Sequence, residues 1–234
     1  MVVLHYTGMA DARAALARLC DPAAEVSAHY LIDEAGEVVA LVDEARRAWH
    51  AGVASWGGVR DVNSRSIGIE LVNPGLGAGA HPFPLAQMRA LERVLGGVTA
   101  RYEVPPERVV GHACVAPGRK VDPGPRFDWR ALAVAGLSVW PAVRPAPRRP
   151  HPPTRARGAG RGSAARFRAA AATFGYGIEP GEAWDAPARA VWQAFALRFC
   201  PWLSDAPGEP SALAMLEELA ARWPVAVDSP APAR

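Results

Sequence analysis

The sequence predicts a larger α/β domain followed by a small three-helix domain, and three observations carry that prediction. Strand-like and helix-like segments alternate from residue 1 to about residue 137. Three helical patterns fill residues 164–225. Between them lies a stretch rich in Pro and Arg with no core-forming pattern. The expected boundaries are residues 1–138 for the first domain, 139–163 for a linker, 164–225 for the second domain and 226–234 for a disordered tail.

In chain order, residues 2–6 read as a buried strand that delivers His5 at its end. Residues 10–19 have helical periodicity, built from Ala, Leu and Arg with no breaker. Residues 27–33 and 37–42 alternate like two strands joined by the turn Glu34-Ala35-Gly36. Residues 66–72 form a third run rich in Ile, Leu and Val, broken by Asn73-Pro74-Gly75. The longest helix is expected over residues 84–102, where Leu85, Met88, Leu91, Leu95 and Val98 recur on one face. Val109-Val110-Gly111-His112 is a short strand, and residues 127–137 close the domain as a short helix.

The linker opens with Pro141, Pro145, Pro147, Pro150, Pro152 and Pro153, so its first part is expected to be extended and its second, Gly- and Ala-rich part flexible. Beyond it, residues 165–174 read as a helix closed by Gly175. Residues 185–199 carry Val191, Trp192, Phe195 and Phe199 as an apolar face. Residues 211–223 begin at Ser211 as an N-cap.

A chain of 234 residues can bury one sizeable core plus a smaller module. Half its residues are hydrophobic, yet no apolar run is long enough to suggest a transmembrane helix. No basic-then-apolar leader precedes the first strand, so either the start lies upstream or the protein is made without an export signal. Cys20, Cys114 and Cys200 are too few and too far apart for a disulfide framework, and Cys20 and Cys200 read as buried apolar residues. The net charge of +3 conceals an asymmetry: eight arginines and no acidic residue lie between Trp140 and Ala169, and without them 18 basic residues face 23 acidic ones. The folded parts are therefore mildly acidic, which argues against a nucleic-acid partner, whose binding domain would carry a basic face.

The segment from Gly111 to Gly124 is the most informative in the chain. It sets His112, Lys120 and Asp122 within eleven residues of a Pro- and Gly-rich stretch that is not expected to be a regular helix. His112 and Asp122 are two ligands suited to zinc, with Lys120 a cation between them. His5 is the best third ligand, and three protein ligands with an open fourth position make a catalytic rather than a structural site.

With these pieces in view, the chain resembles the type-2 N-acetylmuramoyl-L-alanine amidases, zinc enzymes of bacterial cell-wall turnover related in fold to peptidoglycan recognition proteins. The resemblance rests on Leu4-His5-Tyr6-Thr7, on residues 26–32 (Val26 to Ile32), on Arg47-Ala48-Trp49-His50-Ala51-Gly52, on residues 66–71 (Ser66 to Leu71) and on the segment from His112 to Pro123, in that order. It implies a mixed central β-sheet flanked by helices. It also implies Zn²⁺ as cofactor, peptidoglycan or muropeptide fragments as substrate, and hydrolysis of the amide between N-acetylmuramic acid and L-alanine.

Within that resemblance, His5, His112 and Asp122 are the expected metal ligands and Glu70 the general base. Lys120 reads as the cation that stabilises the oxyanion. Tyr30 either helps polarise the carbonyl or is a strand residue with its hydroxyl at the rim. Trp49, His50 and Asn63 are expected to line the cleft. Trp49 offers an apolar face, and His29 and His50 are either substrate contacts, supports for the metal ligands, or core histidines. The chain departs from the family loop at Ala113-Cys114, where a Ser-Asp pair is common; Cys114 as an alternative soft ligand is awkward two residues after His112. Phe174-Gly175-Tyr176 and the Ala-Phe and Arg-Phe pairs near residues 194–199 resemble three-helix peptidoglycan-binding domains, with Ala196 where that family commonly has Gln.

The rival reading is a non-catalytic recognition protein on the same fold, but such proteins lose metal ligands and all three stand here. A cytoplasmic setting follows if no export signal exists, a periplasmic one if it lies upstream.

Overall fold

A computed structural model of the chain describes residues 1–144, 160 and 162–225. A five-stranded mixed sheet lies at its centre, in the order β3-β2-β4-β1-β5, with β1 Val2–Tyr6, β2 Tyr30–Ile32, β3 Val38–Ala40, β4 Ile67–Leu71 and β5 Val109–Gly111. β1 runs parallel to both β4 and β5, β2 runs parallel to β4, and only β3 is antiparallel, closing the hairpin at the exposed edge. The three central strands read as nearly unbroken apolar runs because helices cover both of their faces.

Which helices cover which face follows from the two-residue period of a strand. Val2 and Leu4, Ile67, Ile69 and Leu71, and Val109 pack against Met88, Leu91, Leu95 and Val98 of α2 (Leu85–Arg101), and against Leu132 of α4 (Trp129–Val134). Leu85, expected on that stripe, is 65% exposed at the first turn. Gln87 is buried on α2, where its amide nitrogen donates to the carbonyls of Ile32 and Val72 at 3.0 and 2.9 Å, tying the helix to the ends of β2 and β4. The alternate residues Val3 and Val110 belong to a second core on the opposite face.

That second core is shared with the C-terminal helices α5 (Ser163–Phe174), α6 (Ala186–Phe199) and α7 (Pro210–Arg222). Phe167, Phe174, Trp192, Phe195, Phe199, Leu213 and Leu216 cluster with Val3, Trp56, Val110, Ala113, Cys114 and Val115 of the first unit. The amide of Gly57 donates to the carbonyl of Gly175 at 2.8 Å, and a Cβ at Gly175 would lie 2.6 Å from the Trp56 ring, so glycine is required for this approach. Arg198 of α6 is buried, its guanidinium 4.2 Å from the Trp129 ring and bonded to the carbonyl of Val109 and the hydroxyl of Ser138. The residues that resemble a peptidoglycan-binding domain, Phe174, Tyr176, Phe195 and Phe199, are thus core residues between the two units.

Local expectations are corrected at three places. Cys20 is exposed, because it caps the C-terminus of α1 (Ala12–Leu19) instead of lying within an apolar face. His112–Val115 forms a single helical turn, α3, at the head of the Pro/Gly-rich segment, since no Pro or Gly occurs before Pro117. α7 is capped by the Glu209 side chain, which accepts from the amide of Ala212, while Ser211 lies inside the first turn behind Pro210. Residues 145–159 of the expected linker, residue 161 and the expected tail 226–234 lie outside the described residues.

Candidate active site

The site gathers at the carboxyl ends of the parallel strands, where ligands bind in open α/β sheets. β1 pairs with β4 so that His5 lies opposite Glu70, and both share a face with Val3 and Gly68. Strand alternation therefore sends this imidazole and this carboxylate away from α2. Gly111 ends β5 and His112 opens the next turn. A Cβ at Gly111 would lie 2.7 Å from the Pro123 ring, so its absence lets the returning loop close on the strand. The amide of Ala113 then donates to the carbonyl of Asp122 at 2.9 Å, holding Asp122 beside His112.

Nδ1 of His5 and Nδ1 of His112 are 2.9 Å apart, and each lies 3.0 Å from Oδ2 of Asp122. All three residues are buried. Nε2 of His112 lies 3.0 Å from the carbonyl of Ala51, which can only accept, so Nε2 carries the proton and Nδ1 presents a lone pair to the centre. Burial opposes ionisation of Asp122, but the close approach of His112 and His5 to its Oδ2 holds the carboxyl well below the usual range. Burial, then the neighbouring His112, lowers His5 to about 4. Two imidazole nitrogens and a carboxylate oxygen converging on one point fit a small divalent cation, and this donor set suits Zn²⁺.

Glu70 stands beside this triangle on the cleft wall, its Oε2 buried with no hydrogen-bond partner among the described residues. Burial and the Asp122 carboxylate raise its pKa to about 8, with Lys120 opposing. The native state thus holds a proton that the unfolded chain releases above the ordinary value near 4.5. The stability this proton confers is fully present below about pH 4.5 and is lost as pH rises to about 8. In chelator-treated protein, Glu70→Gln should therefore match wild type at pH 4.5 and melt roughly 5 °C higher at pH 9. Equal melting temperatures at both pH values would show that the carboxyl is not held neutral.

The cleft in front of this group has a volume of about 370 Å³. His5, His112, Asp122, Glu70, Lys120, Trp49 and His50 all line it, together with Arg18 and Leu19 of α1, Val26, Arg119 and Val121. Trp49 stands 53% exposed at the rim. Lys120 is exposed on the loop that carries Asp122. The sequence reading missed Arg119, whose guanidinium donates to the carbonyls of Ala51 and Val53; its position beside Lys120 in the motif was the available signal.

Three of the expected substrate contacts, Tyr30, Asn63 and His50, are hydrogen-bonded to protein groups. Tyr30 pairs with Ile69 across β2 and β4, which puts it on the face opposite Glu70. Its hydroxyl donates to Glu44 at 2.5 Å in a depression bordered by Arg101 and Tyr102, separate from the cleft that holds Glu70. Asn63 is buried, and its Oδ1 accepts from the amides of His50 and Ala51 at 3.1 and 2.8 Å, so it fixes backbone. His50 is buried with both ring nitrogens bonded to protein groups, to His5 at 3.0 Å and to Ser66 at 3.1 Å. His29 is internal as well: Nδ1 accepts from the amide of Gly68 and Nε2 faces the carbonyl of Arg46. Cys114 is buried behind the loop, in contact with the Tyr176 hydroxyl and away from the three converging donors.

Comparison with known proteins agrees with this arrangement. The family model described as N-acetylmuramoyl-L-alanine amidase matches residues 1–125. The N-acetylmuramoyl-L-alanine amidase AmiD of Escherichia coli K12 is 35% identical over 95% of this chain and 83% of its own length. The 1,6-anhydro-N-acetylmuramyl-L-alanine amidase AmpD of Citrobacter freundii is 44% identical over 44% of this chain, a match that spans 54% of AmpD. The structure of E. coli AmiD in complex with anhydro-N-acetylmuramic acid-L-Ala-D-gamma-Glu-L-Lys superposes with a TM-score of 0.80, covering 95% of this chain and 89% of AmiD. That of Pseudomonas aeruginosa AmpDh3 with an anhydromuramic pentapeptide is 30% identical with a TM-score of 0.79, covering 96% and 92%. The likeness to AmiD and AmpDh3 thus extends through the C-terminal helices.

Proposed function

Since this chain belongs to the N-acetylmuramoyl-L-alanine amidase family, we propose that it hydrolyses the amide between N-acetylmuramic acid and L-alanine through the group formed by His5, His112, Asp122, Glu70 and Lys120. The observation that carries the assignment of residues is the convergence of three donor atoms, buried at 2.9–3.0 Å spacing, beside a carboxyl whose buried Oε2 has no hydrogen-bond partner among the described residues. His5, His112 and Asp122 would hold Zn²⁺, which when bound polarises the scissile carbonyl and acidifies a water molecule. Glu70 accepts the proton that the attacking water loses and passes it to the amine of L-alanine as the C–N bond breaks. Lys120 presents its ammonium to the oxygen that gains negative charge in the transition state. Trp49 at the rim offers an apolar face to the sugar or the stem peptide.

AmiD and AmpDh3 are seen with anhydro-muramyl peptides, and the same class of muropeptide is proposed as substrate here. Among the described residues no helix is long and apolar enough to cross a membrane. Mass spectrometry of products from intact sacculi and from anhydro-muropeptides, run side by side, tests the reaction and the substrate together. Release of the free stem peptide, with a mass change of one water, is expected from the anhydro-muropeptide. Preference for that fragment would support a cytoplasmic recycling role, and efficient sacculus cleavage a periplasmic one.

The purified protein should carry about one zinc per chain and lose activity in chelator, as a site of three side-chain ligands implies. His112→Ala should abolish stoichiometric zinc while leaving the far-UV circular dichroism unchanged. Full turnover in a sample shown to be metal-free would overturn the assignment.

A further inference from the structure

Resting on the metal site read above, we propose that a buried relay from the carbonyl of Val62 through Ser66 and His50 sets the tautomer of His5, making Ser66 and His50 positioning residues for metal capture. The direction of the relay is decided at its far end. A carbonyl oxygen can only accept, so the Ser66 hydroxyl, 2.5 Å away, must donate to Val62. Having spent its one proton, Ser66 Oγ accepts from Nε2 of His50 at 3.1 Å. A neutral imidazole with its proton on Nε2 has a lone pair on Nδ1, and that atom lies 3.0 Å from Nε2 of His5. Nε2 of His5 therefore carries the proton and Nδ1 presents its lone pair to His112 and Asp122.

Each member of this chain is held in place. Val62 is fully buried, and Ser66 and His50 are each 8% exposed, so bulk water does not compete freely for the hydrogen bonds. The backbone amide of His50 is fixed by Asn63 at 3.1 Å. The imidazole lies flat against β4 at Gly68, where a Cβ would come within 2.4 Å of the ring, so the strand opens a glycine-sized slot for it. His112 obtains the same tautomer from a single carbonyl, that of Ala51. His5 sits on a strand between two others and faces a second imidazole there, and an imidazole, which can donate or accept at either nitrogen, specifies nothing unless a further group orients it. Ser66 and Val62 supply that orientation.

Outer groups of this kind typically change metal affinity by ~10- to 100-fold when removed. Two measurements test the relay. In chelator-treated wild-type protein, long-range ¹H–¹⁵N correlation of the histidine rings should show His5 protonated on Nε2 and unprotonated on Nδ1. The Nδ1–H tautomer of His5 would overturn the proposal without recourse to any variant. Zinc alone, titrated against a chromophoric competitor, should bind Ser66→Ala ~10-fold or more weakly than wild type. The same variant should show a mixture of His5 tautomers, and Ser66→Thr, which keeps the hydroxyl, should recover most of the affinity. Ser66→Ala that folds and binds zinc within twofold of wild type overturns the relay alone. Wild-type protein that binds no zinc overturns the metal site itself and the relay with it.

Discussion

Glu70→Gln should lower kcat by about 10³ while leaving zinc content and substrate affinity close to wild type. Positioned general acid–base groups contribute on the order of 10²–10⁴, and Glu70 is assigned both the proton uptake and its return to the amine. The amide side chain has nearly the same shape but cannot accept a proton and return it. Zinc should be retained because Glu70 is not one of the three converging donors, His5, His112 and Asp122. Affinity should be retained because the contribution is made in the transition state. Steady-state kinetics on a soluble muropeptide, metal analysis, and binding of the uncleaved substrate to the variant separate these quantities. Loss of binding in parallel with turnover would make Glu70 a structural carboxyl of the cleft wall.

A protein ending at Val139 should fail to fold cooperatively and should be inactive even on small soluble muropeptides. The Pro- and Arg-rich stretch reads in the sequence as a linker between two domains, but the apolar faces on either side of it pack into one cluster. Val3, Trp56, Val110, Cys114 and Val115 are at most 2% exposed, and they share a core with Phe167, Trp192 and Phe195 of the C-terminal helices. Full burial of a large apolar side chain is worth ~1.5–3 kcal/mol, so uncovering several at once removes a large part of a net stability of ~5–15 kcal/mol. α3, which carries His112, would lose its packing against α6 at the same time. Thermal unfolding followed by near-ultraviolet circular dichroism, with turnover of an anhydro-muropeptide, checks both halves of the expectation. A soluble truncated protein with a cooperative transition and near-normal turnover would restore the separable-domain reading.

The family and the three side chains that converge at the candidate site were legible in the sequence because both reside in residue type and chain order. His112, Lys120 and Asp122 lie within one short segment, and His5 and Glu70 lie near the carboxyl ends of apolar strands, so their identities could be read without any knowledge of contacts. The central strands and α2 were legible for the same reason, since their apolar spacing is local.

What a side chain faces was not legible. Tyr30 sits in a matched block one residue from the position that pairs with Glu70, and that single step places it on the opposite face of the sheet. His50 and Asn63 lie in or near matched blocks, yet their partners, His5 and the backbone of residues 50 and 51, are recognisable only once the chain has closed. Ser66 carries no local signal at all; its meaning depends on an imidazole sixteen residues away in the chain and 3.1 Å away in space.

The same division explains the C-terminal helices. Their amphipathic pattern states that each has an apolar face, but not whether that face seals its own bundle or a sheet already formed elsewhere. Residue types and their order along the chain determined the reaction this protein is built for. The register of β1, β2 and β4 and the docking of α5–α7 on the sheet decided which side chains meet. Hydrogen-bond partners and buried faces are set by contacts between distant segments, which no local stretch of sequence encodes.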